Sequence, residues 1–150
     1  MLLITEYAQE TGIADKTLTL PFDQRQKARM RVLLDDGQAV GIQLPRGKIL
    51  RGGDKLKTDD GLVIEIIAAP ETVSTVKSSD GLLLTKVCYH LGNRHVPLQI
   101  EKGWCRYLHD HVLDEMVELL GAKVNCEQAS FEPEPGAYSA GGHSHSHNHD

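Results

Sequence analysis

Aromatic side chains are scarce in these 150 residues, with two Phe, one Trp and four Tyr. Any core must therefore be built from Leu, Ile and Val, and a hydrophobic content of 40% is enough for that. A chain of this length fits one domain or two small ones, and two small cores gain from association with a second copy. Cysteine is scarce as well. Cys88, Cys105 and Cys126 are odd in number and form no C-x-x-C pair. This argues against a disulfide framework and for free thiols in a reducing cytoplasm. Concentrated basic charge is missing: the 16 Lys and Arg are scattered and outnumbered by 21 Asp and Glu. Nucleic acid is thereby excluded as the main partner, whereas a net charge of -5 mildly suits cations. No long apolar run exists, since the stretch 62–69 is broken by Glu65, so no membrane span is expected. Met1-Leu2-Leu3-Ile4-Thr5-Glu6 lacks the basic and apolar regions of a secretory signal. Catalytic signatures are absent too: there is no H-E-x-x-H, no P-loop and no G-x-S-x-G. Cys105 has no histidine base beside it in sequence. The expectation is that the chain is not an enzyme.

What is present reads as α+β, with β structure first. From Ala28 to Leu34 the apolar residues alternate, with Arg29 and Arg31 on the opposite face. Asp35-Asp36-Gly37 then predicts a tight primed hairpin turn. Val40, Ile42 and Leu44 alternate on the return strand, and Pro45 ends it. A second Asp-Asp-Gly at 59–61 precedes a strand over 62–68. Short strands between Gly, Pro and Asp suggest a small sandwich or barrel over 1–70, with Pro70 at the boundary.

The period changes over 71–135. A strand is expected at 73–77. Ser79 or Asp80 can cap a helix whose Leu83, Leu84, Val87 and Leu91 share a face, with Gly92 as its stop. A strand from Val96 to about Tyr107 follows, and Gly103 hints at its division into two. A second helix over 110–120 carries the stripe Val112, Leu113, Met116, Leu119 and Leu120, and Gly121 ends it. The last strand is expected at 124–131. The order β-α-β-β-α-β is the ferredoxin-like arrangement. Residues 136–150 cannot support a core and read as a disordered, His-rich tail.

Histidine carries the chemistry. Half of the eight histidines, His143, His145, His147 and His149, alternate with Ser and Asn at the end of the chain. Neutral imidazole suits nickel, copper and zinc, and this spacing points to a metal-binding tail rather than an unbroken purification tag. His109 and His111 flank Asp110 at the expected entrance of the second helix. Two readings stand side by side there: both imidazoles reach metal, or Asp110 caps the helix and the histidines are solvated. From spacing alone, His95 reads as an exposed loop residue and His90 as a half-buried helix residue. Cys88 or Cys126 reads as core rather than ligand.

Gly92-Asn93-Arg94-His95, His109-Asp110-His111, the segment 131–138 (Phe-Glu-Pro-Glu-Pro-Gly-Ala-Tyr) and Arg51-Gly52-Gly53-Asp54-Lys55-Leu56 together resemble the UreE family of urease accessory proteins. The resemblance covers nearly the whole chain. It implies a β domain followed by a ferredoxin-like domain, and a nickel metallochaperone that delivers Ni(II) to apo-urease. It implies a homodimer joined through the second domain, with His95 and its symmetry mate binding nickel at the centre. His109 and His111 match family positions that form further metal sites, and His90 matches a position sometimes histidine in relatives. Zn(II) and Cu(II) are alternative ions. The implied partners are the urease accessory GTPase, the urease activation complex and apo-urease, and the first domain is expected to dock partners. Two other readings are a tail-based metal buffer and a metal-dependent hydrolase. Histidine ligation predicts that nickel affinity falls as pH drops through about 6.5, because protons compete for imidazole. Titrations at several pH values check this, and a flat affinity down to the acid side would exclude histidine ligands.

Overall fold

The structure is a computed structural model that describes residues 1–9 and 12–136. The expected tail histidines lie outside the described residues. The described chain forms two compact units, one of Met1–Ala68 with Pro135 and Gly136, the other of Ala69–Glu134.

The first unit holds β1 (Leu2–Tyr7), β2 (Lys16–Leu20), a short α1 (Phe22–Arg25), β3 (Arg29–Leu33), β4 (Ala39–Gln43), β5 (Lys55–Thr58) and β6 (Val63–Ala68). They make one six-stranded sheet in the order β2-β6-β5-β1-β4-β3. The expected alternation is realised on β4, where Val40 and Ile42 point into a core with Ile4, Leu18, Leu56, Ile64 and Ile66. Inside that unit Arg25 is fully buried. Its guanidinium donates to the carbonyls of Leu20 at 3.0 Å and Leu50 at 3.1 Å, so two of its donors are met by backbone.

Both Asp-Asp-Gly segments turn the chain in the same way. Leu34 N donates to Gln38 O and Gly37 N to Leu34 O, both at 2.8 Å. Thr58 N donates to Leu62 O at 2.9 Å and Gly61 N to Thr58 O at 3.0 Å. Gly37 (φ 93°) and Gly61 (φ 91°) take the left-handed conformation. The turns are thus three-residue loops closed by a left-handed glycine, where at 35–37 a tight primed turn was expected.

The sheet nearly closes into a barrel through Asp35. Its N–H donates to Thr17 O at 3.0 Å. Its carboxylate accepts from Thr17 Oγ1 at 2.7 Å, Thr19 N at 3.0 Å and Thr19 Oγ1 at 2.8 Å. A side chain therefore joins the two outer strands. Burial works to raise the Asp35 carboxyl pKa, but the hydrogen bonds from Thr17 and Thr19 outweigh it and hold the pKa below the usual value. Its folded value lies below its unfolded one, so this contribution is complete above about pH 4 and is lost as pH falls through the lowered value. Asp35→Ala is expected to lower unfolding free energy by about 1–2 kcal/mol at neutral pH. Urea melts at neutral and acid pH check this, and the deficit should shrink on the acid side. An equal deficit at both would contradict the closure role.

The second unit holds β7 (Pro70–Lys77), α2 (Gly81–Asn93), β8 (Gln99–Glu101), β9 (Trp104–Leu108), α3 (His111–Leu119) and β10 (Val124–Ser130). Its antiparallel sheet runs β10-β7-β9-β8. Val76, Cys105 and Tyr107 from the sheet pack with Val87 and Leu91 of α2 and Leu113 and Val117 of α3. Gly103 (φ 86°) turns β8 into β9, which divides the expected long strand. Gly121 (φ 106°) follows α3 as its left-handed stop. Pro70 opens β7, at the first position of a strand, where its missing N–H is tolerated. Among the described residues no helix is long and apolar enough to cross a membrane.

Candidate metal centre

Asp80 begins α2. Its carboxylate accepts from the N–H groups of Leu82 at 3.1 Å and Leu83 at 3.2 Å, which satisfies two of the free donors of the first turn. The far end departs from expectation. Gly92 lies inside the helix, with open space where a Cβ would stand, and does not stop it. Arg94 is the C-cap, and His95 follows with φ 61°, the only positive φ among the described non-glycine residues. His95 N donates to Gly92 O at 3.0 Å, one of the reversing bonds that close a helix end. Pro97 explains the location. The residue before a proline is driven to extended backbone, so Val96 cannot be helical and the reversal must fall at His95. Val96 packs into the same core as Leu91, which fixes the exit path. A non-glycine residue in this conformation carries strain of about 1–2 kcal/mol, although histidine tolerates it better than most. The side chain is exposed. His90, one turn earlier, is half-buried, and its ring meets Tyr89 edge-on at 5.2 Å.

The second histidine pair sits where β9 passes into α3. Asp110 is extended (φ -151°, ψ 117°), and its carboxylate caps Val112 N at 2.8 Å and Leu113 N at 3.2 Å. The capping reading of Asp110 is therefore realised. The two histidines turn to different partners. His109 Nδ1 lies 3.2 Å from both Ser74 Oγ and Asp114 Oδ2. His111 Nε2 lies 3.1 Å from Glu115 Oε2, one turn along an exposed helix face. Asp114 is the hub of the first group. Its Oδ1 accepts from Ser74 Oγ at 2.7 Å and from Tyr107 Oη at 2.6 Å. Burial first, and then the hydrogen bond to Asp114, push the Tyr107 phenol well above its ordinary pKa, so it stays a donor.

Sequence reasoning missed Asp114, Ser74 and Tyr107. Asp114 looks like one more acidic helix residue, and its partners come from β7 and β9. Among the described residues no three His, Cys, Asp or Glu side chains of one copy converge to hold an ion. The cysteines are all free. Cys105 is buried and Cys88 half-buried, but Cys126 is exposed on the edge strand β10, which corrects the core reading for it.

Comparison with known proteins decides the family. The profile described as "UreE urease accessory protein, N-terminal domain" matches residues 4–69, and that described as "UreE urease accessory protein, C-terminal domain" matches residues 71–150. The chain belongs to the UreE urease accessory protein family. A UreE of Alkalilimnicola ehrlichii is 60% identical over 138 residues, covering 92% of this chain and 85% of that protein. One from Citrobacter koseri is 52% identical over 150 residues, covering 99% of both chains. A third, from Proteus mirabilis, is 60% identical over 122 residues, covering 81% of this chain and 76% of its own. All three are named "Urease accessory protein UreE". The match to both UreE domains implies a role in urease maturation, an accessory rather than a catalytic part.

Proposed function

We propose that this chain is a nickel metallochaperone that delivers Ni(II) to apo-urease while the urease metal centre is assembled, and that it has no catalytic activity of its own. The observation that carries the proposal is His95, an exposed imidazole held in a left-handed conformation at a helix end where glycine is the ordinary choice. Strain at a residue that the core does not need points to function.

The donor chemistry fits the cargo. Imidazole nitrogen suits nickel, and also zinc and copper as competitors. One His95 is a poor site, but a two-fold axis in a homodimer supplies a second. The tail would add His143, His145, His147 and His149. The backbone favours this, because Glu134 N donates to Leu98 O at 2.8 Å, close in sequence to His95. Glu134, nine positions before His143, is thereby paired with the residue that precedes β8. The nine residues from Glu134 to His143 reach at most about 30 Å, and a tether of that length gives a high effective concentration. His109 and His111 would hold further ions, and His90 is a weaker candidate.

The second unit's strand order, fourth-first-third-second, supports a ferredoxin-like reading of a metal-binding and dimerisation domain over 71–135. The β domain over 1–70 would dock partners: the accessory GTPase, the activation complex or apo-urease. The free thiols support a cytoplasmic setting. The test is urease activation from purified apo-urease and its accessory proteins at a fixed, chelator-buffered nickel level. Addition of this chain should raise the activated fraction, and the chain lacking residues 143–150 should retain most of that effect. Loss of the whole effect on truncation would instead describe a tail-based metal buffer.

A further inference from the structure

We propose that Asp114 is the positioning residue for His109: it fixes the tautomer with the proton on Nδ1 and so presents Nε2 as the donor to a divalent cation. The claim about the cation rests on the nickel reading above, whereas the claim about the tautomer stands on hydrogen-bond accounting alone.

That accounting starts from the two hydroxyl protons. Tyr107 has one O–H, and it is donated to Asp114 Oδ1 at 2.6 Å. Ser74 has one O–H, and it is donated to the same oxygen at 2.7 Å. With its proton spent, Ser74 Oγ can only accept from the ring nitrogen 3.2 Å away. The second Asp114 oxygen, also 3.2 Å from that nitrogen, is a carboxylate oxygen and can only accept. Both neighbours of Nδ1 are thus acceptors. A lone pair on Nδ1 would face two others, so Nδ1 must carry the proton. Neutral imidazole then has its acceptor on Nε2. Ser74 and Tyr107 are essentially fully buried, which holds Asp114 in place, while 39% of the His109 side chain is exposed. A carboxylate behind a metal-binding histidine fixes the tautomer and the orientation of the ring.

Asp114→Asn separates this from a merely structural role. The amide keeps the shape and can still accept from Tyr107 and Ser74. Its N–H₂ would then point at Nδ1, so the proton should move to Nε2 and block the outward donor. The experiment uses the full, metal-free chain with ¹⁵N-labelled histidine, and His109→Ala identifies the resonance. Long-range proton–nitrogen correlation should show Nδ1–H in the native chain and Nε2–H in Asp114→Asn. Calorimetric titration with nickel alone should then show the His109 contribution weakened by about 10–100-fold in Asp114→Asn. Ser74→Ala serves as the second variant: the carboxylate remains, so the native tautomer should persist. Nε2–H in the native chain, or Nδ1–H retained in Asp114→Asn, would overturn the positioning role. If His109→Ala leaves nickel binding unchanged while the tautomers behave as stated, the nickel reading of His109 fails and the positioning role stands.

Discussion

His95→Gly is expected to stabilise the second unit by about 0.5–1 kcal/mol while removing the proposed nickel site. Glycine enters the left-handed region freely, so it relieves strain at this helix end, and part of the gain is returned as backbone entropy. His95→Ala keeps the strain and should leave stability near that of the native chain. Both variants lose the imidazole. If one ion is shared by two His95 rings, nickel affinity should fall by roughly 100-fold or more, the scale of losing a ligand that contributes several kcal/mol. Stability and affinity thus move in opposite directions in one variant, which damage to the fold cannot produce. Denaturant melts of the metal-free chain and nickel titration check the two halves. A destabilised His95→Gly would show that the imidazole supports the helix end instead.

Leu91→Ala is expected to cost about 2–5 kcal/mol of stability, the range for deleting a fully buried leucine side chain. Leu91 is inaccessible to solvent and packs with Val87, Leu98 and Val117. It is the last α2 residue in the buried core and the one that holds the turn from which His95 departs. Urea unfolding followed by circular dichroism gives the loss. At temperatures where the variant stays folded, its number of bound nickel ions should be unchanged, because Leu91 offers no donor. A small loss of stability would mean that the α2 end is not fixed by this packing. His95→Ala and Leu91→Ala are therefore complementary, one acting on the ion and the other on the scaffold.

The sequence was readable wherever one local signal dominates. Val40 and Ile42 alternate into a core, Asp80 caps a helix, and Gly121 stops one, each because a few neighbouring residues decide the outcome. β1 and β2 were not anticipated. In Leu2–Tyr7 and Lys16–Leu20 the burial comes from pairing with β4, β5 and β6, strands distant along the chain. The end of α2 was misplaced because Gly92 gave the stronger local signal. The constraint from Pro97 acts through Val96 and moves the reversal to His95. The histidines are conspicuous in the sequence by number and spacing. Their surroundings are not, because the Asp114 network joins Ser74 on β7, Tyr107 on β9 and α3, and only the sheet register brings these together.

The most direct test of the central claim is nickel titration of the full chain by calorimetry, with molecular mass measured with and without metal, beside His95→Ala. One tight ion for every two chains, lost in His95→Ala, is the expected result. Equal tight binding by both proteins would contradict a nickel site built on His95.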